Sequence, residues 1–275
     1  MRTQLIKATG LAWLALVLAC GAALAQSEDL TAEEIVEKAD YVSYYQGKDG
    51  RAQVKMTITG PQGDQRNREF TILRKDLEED SQQRITDQRF YVFFHRPADV
   101  RKMVFMVWKH TAADESDDRW LYLPAMDLVK RIAPGDKRTS FVGSNFFYED
   151  VSGRNMNLDQ HELVQTSDTY YVIKSTPKNP DQVEFSSYKT WIHRDTFLPV
   201  QTVYWDTNRD KYREYKVLEV DTIQGYTTVT ESRMKNLRDG SQTVIHYEDV
   251  TYDVGVPKDI FSERYLRQPP TQYLR

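Results

Sequence analysis

Apolar and polar positions alternate with a period of two through most of the chain, a pattern typical of strands with one buried face. Val54, Met56 and Ile58 alternate with polar neighbours, a Gly-Pro-Gln-Gly turn follows, and Phe70 and Ile72 resume the alternation. These residues predict a hairpin. Further strands are predicted over residues 84–94, 102–108, 119–124, 170–175, 183–193, 200–205, 212–220, 226–234 and 243–252.

A single amphipathic helix is predicted before the first strand. Thr31 and Glu34 have the spacing of a capping box, in which each side chain bonds a free backbone N–H at the start of the helix. Ile35, Ala39 and Val42 follow at helical spacing and predict one buried stripe.

The predicted strands number about eleven and are joined by turn sequences, which favours an antiparallel meander. No alternation of strands with helices indicates a parallel sheet. We therefore expect a mainly β fold, a large curved antiparallel sheet, in one domain spanning residues 26–275. The tail around Pro269 and Pro270 is expected to be frayed.

The first 25 residues have the composition of a secretory signal peptide. Arg2 and Lys7 form a basic start, residues 8–19 are apolar, and the small residues Ala23 and Ala25 occupy the positions that signal peptidase recognises. The apolar run is too short for a convincing membrane span. We expect cleavage after Ala25 and export across the inner membrane.

Cys20 offers an alternative to that cleavage site. It follows Val-Leu-Ala, which is similar to a bacterial lipobox, although Leu18 stands where a smaller or β-branched residue is usual. Cleavage after Ala25 is favoured, and lipid anchoring at Cys20 is the alternative. The favoured interpretation leaves no cysteine in the mature chain, and hence no disulfide.

The charge of the chain disfavours nucleic acid as a partner. Without Arg2 and Lys7, the 37 basic residues become 35 against 41 acidic residues, a net charge of −6. The 17 tyrosines and 5 tryptophans also suit sugar binding, but aromatic residues spaced two apart on strands more often belong to a core.

The sequence contains no matched set of catalytic residues. The five histidines are scattered without a metal-binding spacing. Gly143 and Ser144 lack the second glycine of a nucleophile elbow, and the adjacent acids Glu149 and Asp150 would point to opposite faces of a strand. We therefore predict no catalytic residue, no metal site, no cofactor and no enzymatic activity.

Several motifs together resemble the LolA-like outer-membrane lipoprotein-sorting protein family. The central ones are Arg-Trp-Leu-Tyr-Leu-Pro at 119–124, Lys-Arg-Ile at 130–132 and Ser-Phe-Val-Gly-Ser-Asn-Phe-Phe-Tyr-Glu-Asp at 140–150. Weaker ones lie at 96–101, 198–200, 256–261 and 264–266. The resemblance extends over residues 30–266 and is greatest to the uncharacterised branch of the family.

The resemblance implies a half-open β-barrel with an N-terminal helix and lid helices over a concave apolar face. It also implies a monomeric periplasmic carrier of Gram-negative bacteria that takes the acyl chains of a lipoprotein or lipid towards the outer membrane. Its partners would be an inner-membrane transporter and an outer-membrane acceptor. A lipid-sensing regulatory protein and a lipid-binding accessory of an inner-membrane exporter are the alternatives.

The strands with large apolar residues predict the lining of the lipid-binding cavity. Since alternation lets only one of two sets face inward, Trp120 and Tyr122 or else Leu121 and Leu123 complete the lining. A dry, self-filled core is an equal alternative for each residue. The predicted lining residues are Phe70, Ile72, Val92, Phe94, Val104, Met106, Trp108, Trp120 and Tyr122.

Two basic pairs flank a Pro-Gly turn and are candidates for contact with a lipid head group or a membrane partner. They are Lys130 with Arg131, and Lys137 with Arg138. Simple solvation is an equal alternative. Lipoprotein carriers of the family use a barrel arginine to hold the lid shut, and no residue of this sequence is matched to it.

Overall fold

The computed structural model describes residues 30–77, 87–112 and 114–275. The predicted cleavage site at Ala25 and the alternative at Cys20 lie outside these residues. Residues Thr31–Arg275 form one compact unit, and the other unit, Met1–Leu30, is described only at Leu30. Within the described part, no helix is both long and apolar enough to cross a membrane.

One open antiparallel sheet dominates the described residues, which confirms the predicted fold class. Its strands are β1 Asp49–Thr59, β2 Gln65–Asp76, β3 Asp87–Arg96, β4 Val104–His110, β5 Asp118–Leu123, β6 Leu128–Arg131, β7 Asp159–Thr166, β8 Tyr170–Pro177, β9 Phe185–His193, β10 Pro199–Asp206, β11 Lys211–Ile223, β12 Tyr226–Asn236 and β13 Gln242–Tyr252.

The order of the 13 strands is β6-β5-β4-β3-β2-β1-β13-β12-β11-β10-β9-β8-β7. The chain therefore runs outward from the central strand β1 to one edge at β6. It then crosses to the opposite edge at β7 and returns strand by strand to pair β13 with β1. The two edges are joined by residues 132–158, which we call the crossover segment.

Helix α1, Ala32–Tyr44, begins as its sequence predicts. The Thr31 hydroxyl accepts a hydrogen bond from the Glu34 backbone N–H at 3.2 Å, and a Glu34 carboxylate oxygen accepts one from the Thr31 N–H at 2.8 Å. Ile35 and Ala39 are its buried residues. Two shorter helices follow, α2 at Tyr148–Ser152 and α3 at Glu263–Arg267.

The sheet has two apolar faces, and each is covered by a different part of the chain. The inner face is the one against which α1 and the crossover segment pack, and its core includes Val54, Phe70 and Phe105 together with Phe141 of the crossover segment. The outer face is covered by residues 253–275, which we call the C-terminal segment. Successive residues of β2 to β5 therefore enter two separate cores.

The C-terminal segment is not frayed, contrary to the expectation from its prolines. Phe261 and Leu274 are buried on the outer face, at 2% and 4% exposure. The Tyr91 hydroxyl donates to the Tyr265 carbonyl at 2.7 Å, and the Thr71 hydroxyl donates to the Leu274 carbonyl at 3.1 Å. These contacts close the outer face over β2 to β5.

Candidate ligand-binding cavity

A cavity of about 440 Å³ lies between the inner face of the sheet, α1 and the crossover segment. Helix α1 contributes Val36 and Ala39 to its lining, and the crossover segment contributes Phe146 and Val151. Strands β1 to β3 and β7 to β13 supply the rest. This volume lies within the range of small-molecule and cofactor sites.

The lining of the cavity changes character across the sheet. Strands β1 to β3 and the crossover segment present apolar side chains, among them Phe70, Ile72, Phe90, Val92, Phe141 and Phe146. Strands β8 to β13 present many hydroxyl groups, among them those of Ser175, Tyr188, Thr190, Thr202, Tyr204, Tyr215, Ser232 and Tyr247. The cavity is therefore suited to a ligand with one apolar part and one hydrogen-bonding part.

Four of the nine predicted lining residues face the cavity side of the sheet. Phe70, Ile72 and Val92 line the cavity itself. Phe94 lies in the same inner core, with its ring 5.1 Å from that of Phe70 and 5.9 Å from that of Phe141. Their role in binding a lipid stays a prediction.

The other five predicted lining residues face away from the cavity, and this corrects their placement. Val104, Met106 and Trp120 are buried in the outer core, and Trp108 and Tyr122 pack against it. The Trp108 indole N–H donates to the Phe261 carbonyl at 2.7 Å, so the C-terminal segment covers this surface. The alternative pair, Leu121 and Leu123, belongs to the inner core.

The register of the sheet gives the physical reason for this correction. Val92 of β3 lies opposite Phe105 of β4, and Phe105 lies opposite Leu121 of β5. Residues opposite each other in an antiparallel pair share a face. Because Val92 faces inward, Phe105 and Leu121 face inward too, and their neighbours Val104 and Trp120 face outward.

The basic pairs are placed differently from one another. Lys130 and Arg131 are exposed on the edge strand β6, where Arg131 forms an ion pair with Asp118. Lys137 is partly buried, and its ammonium lies 3.1 Å from a Glu149 carboxylate oxygen. The Arg138 side chain is only 7% exposed, so it is not available as a surface contact for a head group.

Arg138 and Glu149 are the centre of a buried charge network. The Arg138 guanidinium donates to Glu149 at 2.6 Å and to both Glu184 oxygens at 2.6 and 2.7 Å. Arg154 also donates to Glu149, at 3.3 Å, and to Asp159 at 2.8 and 2.9 Å. The network joins the crossover segment to β7 and to the start of β9.

The cations around Glu149 fix its protonation state. Burial alone would raise the pKa of Glu149, but Arg138, Lys137 and Arg154 lower it to about 2. The pKa of Arg138 is raised, since hydrogen bonds and charges from Glu184 and Glu149 outweigh the effect of burial. Glu149 is therefore an ionised structural partner, and its chemistry is not that of a general acid.

A second set of contacts fastens the crossover segment to β11 and β13. The Arg213 guanidinium forms an ion pair with Asp150, donates to the Asn145 carbonyl at 3.2 Å and lies 4.0 Å from the centre of the Phe147 ring. The Asn145 side-chain oxygen accepts a hydrogen bond from the Thr243 hydroxyl at 2.8 Å. Asp150, like Glu149, is therefore a structural partner in an ion pair.

Sequence reasoning missed both sets of contacts. The sequence predicts a head-group or partner contact, or simple solvation, for Arg138 and opposite faces of a strand for Glu149 and Asp150. Their partners Glu184 and Arg213 are distant in sequence. No local pattern links an acid to a cation that reaches it only when the crossover segment lies over the sheet.

The end of α1 is held by Arg74, a partly buried arginine of β2. Arg74 donates to the carbonyls of Tyr44 at 2.5 Å and of Gln46 and Gly47 at 2.6 Å. These carbonyls lie at the end of the helix, where cations are favoured. Arg74 also pairs with Asp76 at 3.0 Å, and burial raises the pKa of Asp76 to about 6.

A buried lysine lies beneath the same end of α1. Lys109 is 2% exposed, and its ammonium has no hydrogen-bond partner among the described residues. It lies 4.9 Å from the centre of the Tyr44 ring and 5.4 Å from that of Tyr45. The faces of these aromatic rings stabilise the positive charge.

Close packing of α1 on the crossover segment depends on one glycine. Gly153 has a φ of +79°, and a Cβ at this position would lie 2.6 Å from atoms of the Tyr44 ring. Any larger residue would therefore displace Tyr44 from the cavity wall.

Three potential metal ligands meet on the outer face, away from the cavity. Carboxylate or imidazole atoms of Glu219, Glu231 and His246 lie within 4.8 Å of one another in the described part of the chain. The register of β11, β12 and β13 brings them together. They are distant in sequence, so the scattered histidine pattern did not indicate them, and they are separate from the candidate site.

Comparisons with known proteins agree with this fold. A crystal structure of a DUF1329 family protein from Desulfovibrio piger has 27% sequence identity and a TM-score of 0.77, with 86% of this chain and 100% of that chain covered. No curated protein sequence matches the chain.

Two further crystal structures are similar in fold. A putative outer membrane lipoprotein-sorting protein domain from Vibrio parahaemolyticus has 21% identity and a TM-score of 0.75 over 86% of this chain and 98% of that chain. A LolA superfamily protein from Nitrosomonas europaea has 19% identity and a TM-score of 0.65 over 86% of this chain and 100% of that chain.

A family model described only as uncharacterized protein matches residues 86–268. The match spans well over half of the chain and all strands from β3 to β13. The chain therefore belongs to this DUF1329-like family of uncharacterized proteins, whose fold is the LolA-like half-open barrel that the sequence motifs resembled.

Proposed function

We propose that the protein is a periplasmic carrier that holds the acyl chains of a lipoprotein or a free lipid in the inner-face cavity and takes them towards the outer membrane. The observation that carries this proposal is the cavity of about 440 Å³ between α1, the crossover segment and the sheet. The predicted signal peptide and the LolA-like fold agree with it.

The apolar part of the cavity supplies the affinity in this proposal. Each buried CH₂ group of an acyl chain contributes about 0.8 kcal/mol. Phe70, Ile72 and Val92 on the sheet and Phe141 and Phe146 on the crossover segment offer such surfaces from two sides. A lipid bound between them is shielded from water without any covalent step.

Loading and release require an opening between the crossover segment and the sheet. The segment is attached at its two ends to the edge strands β6 and β7, and Arg138, Glu149 and Arg213 fasten its middle. A membrane transporter or acceptor would exchange the cargo by disturbing these contacts. The existence of such a transporter and acceptor is part of the proposal.

A matched pair of substitutions on α1 tests the proposal. Val36 lines the cavity, whereas Tyr41 on the same helix is 54% exposed. We expect Val36→Asp to weaken binding of a fluorescent acyl probe about tenfold or more, because it places a charge against an acyl chain. Tyr41→Asp leaves binding unchanged. Equal effects, or no probe binding by the unsubstituted protein after delipidation, would contradict the proposal.

A further inference from the structure

The hydroxyl-rich side of the cavity contains four tyrosines, which we call the tyrosine cluster: Tyr44, Tyr204, Tyr215 and Tyr247. All four line the same cavity, and in the sheet register Tyr215 lies opposite Thr202, two residues from Tyr204, so these two tyrosines share a face. The four side chains therefore belong to one region of the wall, although they come from α1, β10, β11 and β13.

Three hydroxyls of the cluster are free to meet a ligand. Those of Tyr44, Tyr204 and Tyr247 have no hydrogen-bond partner among the residues that the structure describes, whereas Tyr215 bonds Ser232. Burial raises the pKa of all four groups, that of Tyr215 to about 12. At neutral pH these groups are O–H donors that carry no charge.

The arginines on the described cavity wall are already bound to groups of the chain itself. Arg74 donates to three carbonyls of the α1 end and to Asp76. Arg154 donates to Asp159 and Glu149, and Arg51 donates to the Arg275 carbonyl. Arg74 and Arg154 are thus neutralised by acids of the chain, and the Arg51 guanidinium is directed to the C-terminal segment.

The acids on the wall add to this effect. Asp150 is paired with Arg213, but Asp40 on α1 has no hydrogen-bond partner among the described residues. Burial raises the pKa of Asp40, although Lys109 opposes this rise. The unpaired ammonium of Lys109 acts on Asp40 but is not among the residues that line the cavity. An anionic group that entered the cavity would therefore lose its hydration without direct contact with this cation, which is costly.

Resting on the carrier function proposed above, we infer that the tyrosine cluster is a head-group subsite that selects an uncharged amphiphile with hydroxyl or ester oxygens. The oxygens accept hydrogen bonds from Tyr44, Tyr204 and Tyr247, while the acyl chain lies against the apolar side of the cavity. An amphiphile with the same chain and a phosphate head binds more weakly, since the arginines of the described wall are already bound and Lys109 does not line the cavity.

A matched pair of lipids tests this inference on the protein beginning at Gln26. Monopalmitoylglycerol and the corresponding lysophosphatidic acid share an acyl chain and a glycerol, and they differ in the phosphate. We expect monopalmitoylglycerol to displace a fluorescent acyl probe at a concentration at least about tenfold lower than lysophosphatidic acid requires, because burying the unpaired charge of the phosphate is costly. Equal displacement, or tighter binding of the lysophosphatidic acid, would overturn the inference.

Isosteric substitutions locate the subsite. Tyr204→Phe and Tyr247→Phe each remove one free hydroxyl and keep the ring. Each is expected to weaken monopalmitoylglycerol about fivefold while leaving the affinity for a fluorescent hydrocarbon without polar groups unchanged. Tyr41→Phe, on an exposed position of α1, is the control and changes neither affinity.

The outcomes separate this inference from the function on which it rests. Suppose that the hydrocarbon probe binds, and that the Tyr→Phe variants bind it and monopalmitoylglycerol with the affinities of the unsubstituted protein. The tyrosine cluster is then not a subsite, and the carrier function stands. If neither lipid nor probe binds to correctly folded protein, the carrier function and the subsite fail together.

Discussion

The two faces of the sheet are filled to different extents in this protein. On the outer face, the C-terminal segment brings Val256, Phe261 and Leu266 against β2 to β5, and the chain fills its own core. On the inner face, α1 and the crossover segment cover the sheet but leave about 440 Å³ between them. A covered apolar face is therefore not yet a binding site, and what distinguishes the inner face is incomplete filling.

The covers of the two faces are also held differently. The C-terminal segment is held by apolar burial and by side-chain bonds to its backbone, as from Tyr91 and Trp108. The crossover segment is held by apolar burial as well, as of Phe141 and Phe146, and in addition by buried ion pairs through Arg138, Glu149 and Arg213. Breaking a buried ion pair leaves an uncompensated charge, at a cost of about 3–5 kcal/mol, so an event that opens this cover must also satisfy the charges of Arg138 and Glu149.

The largest expected effect comes from emptying the outer core. Phe261 is 2% exposed, so Phe261→Ala should cost about 3–5 kcal/mol of unfolding free energy, through lost burial and a cavity. Urea unfolding measures this cost. The exposed Val220→Ala is the control and should change stability by less than about 0.5 kcal/mol. A small cost for Phe261→Ala would mean that the outer face is not a closed core.

Removing the charge of Glu149 tests how the inner cover is held. Glu149→Gln leaves Arg138, Lys137 and Arg154 without their shared carboxylate, at a cost of about 3 kcal/mol. Glu184→Gln should cost about 1 kcal/mol or less, because its carboxylate side chain is 40% exposed. Equal costs in urea unfolding would contradict the central position of Glu149.

The pH dependence of stability gives a second measure of the same group. Since the pKa of Glu149 is lowered from 4.5 to about 2, its contribution is complete above pH 4.5 and is lost as the pH falls towards 2. Between about pH 5 and pH 3 the protein should lose roughly 2 kcal/mol more than Glu149→Gln does. Parallel stability curves would show that Glu149 does not titrate in this way.

The smallest effect tests the two faces directly with one substitution. Val92 lines the cavity and Val104 lies in the outer core, and both are 0% exposed. Both Val→Ala changes should cost about 1–2 kcal/mol in stability. Val92→Ala should also weaken acyl-probe binding about threefold, and Val104→Ala should not. Loss of affinity in Val104→Ala alone would reverse the assignment of the faces.

Most of the secondary structure could be predicted from the sequence, and the two missed strands have a common cause. Strands β6 and β7 are the edges of the sheet. An edge strand pairs on one side and is largely exposed, as Leu128 at 45% and Val164 at 38% illustrate. The residues of an edge strand therefore need not alternate between apolar and polar, which is the pattern that predicts the inner strands.

The assignment of faces could be predicted only in part. Residues 103–108 are apolar on both faces, so alternation divides them into two sets without saying which set faces the cavity. The sheet register decides this by placing Val92 opposite Phe105. The prediction of a frayed C-terminal segment is wrong for a related reason, since its prolines give no information on the outer face of the sheet, which buries Leu274.

The central claim is that the cavity on the inner face holds a lipid. Mass spectrometry of lipid extracted from the protein after purification from a Gram-negative periplasm tests it most directly. We expect an acyl-chain lipid in near-stoichiometric amount, greatly reduced in Val36→Asp and retained in Tyr41→Asp. Protein that carries no lipid, and takes up no acyl probe while folded, would contradict it.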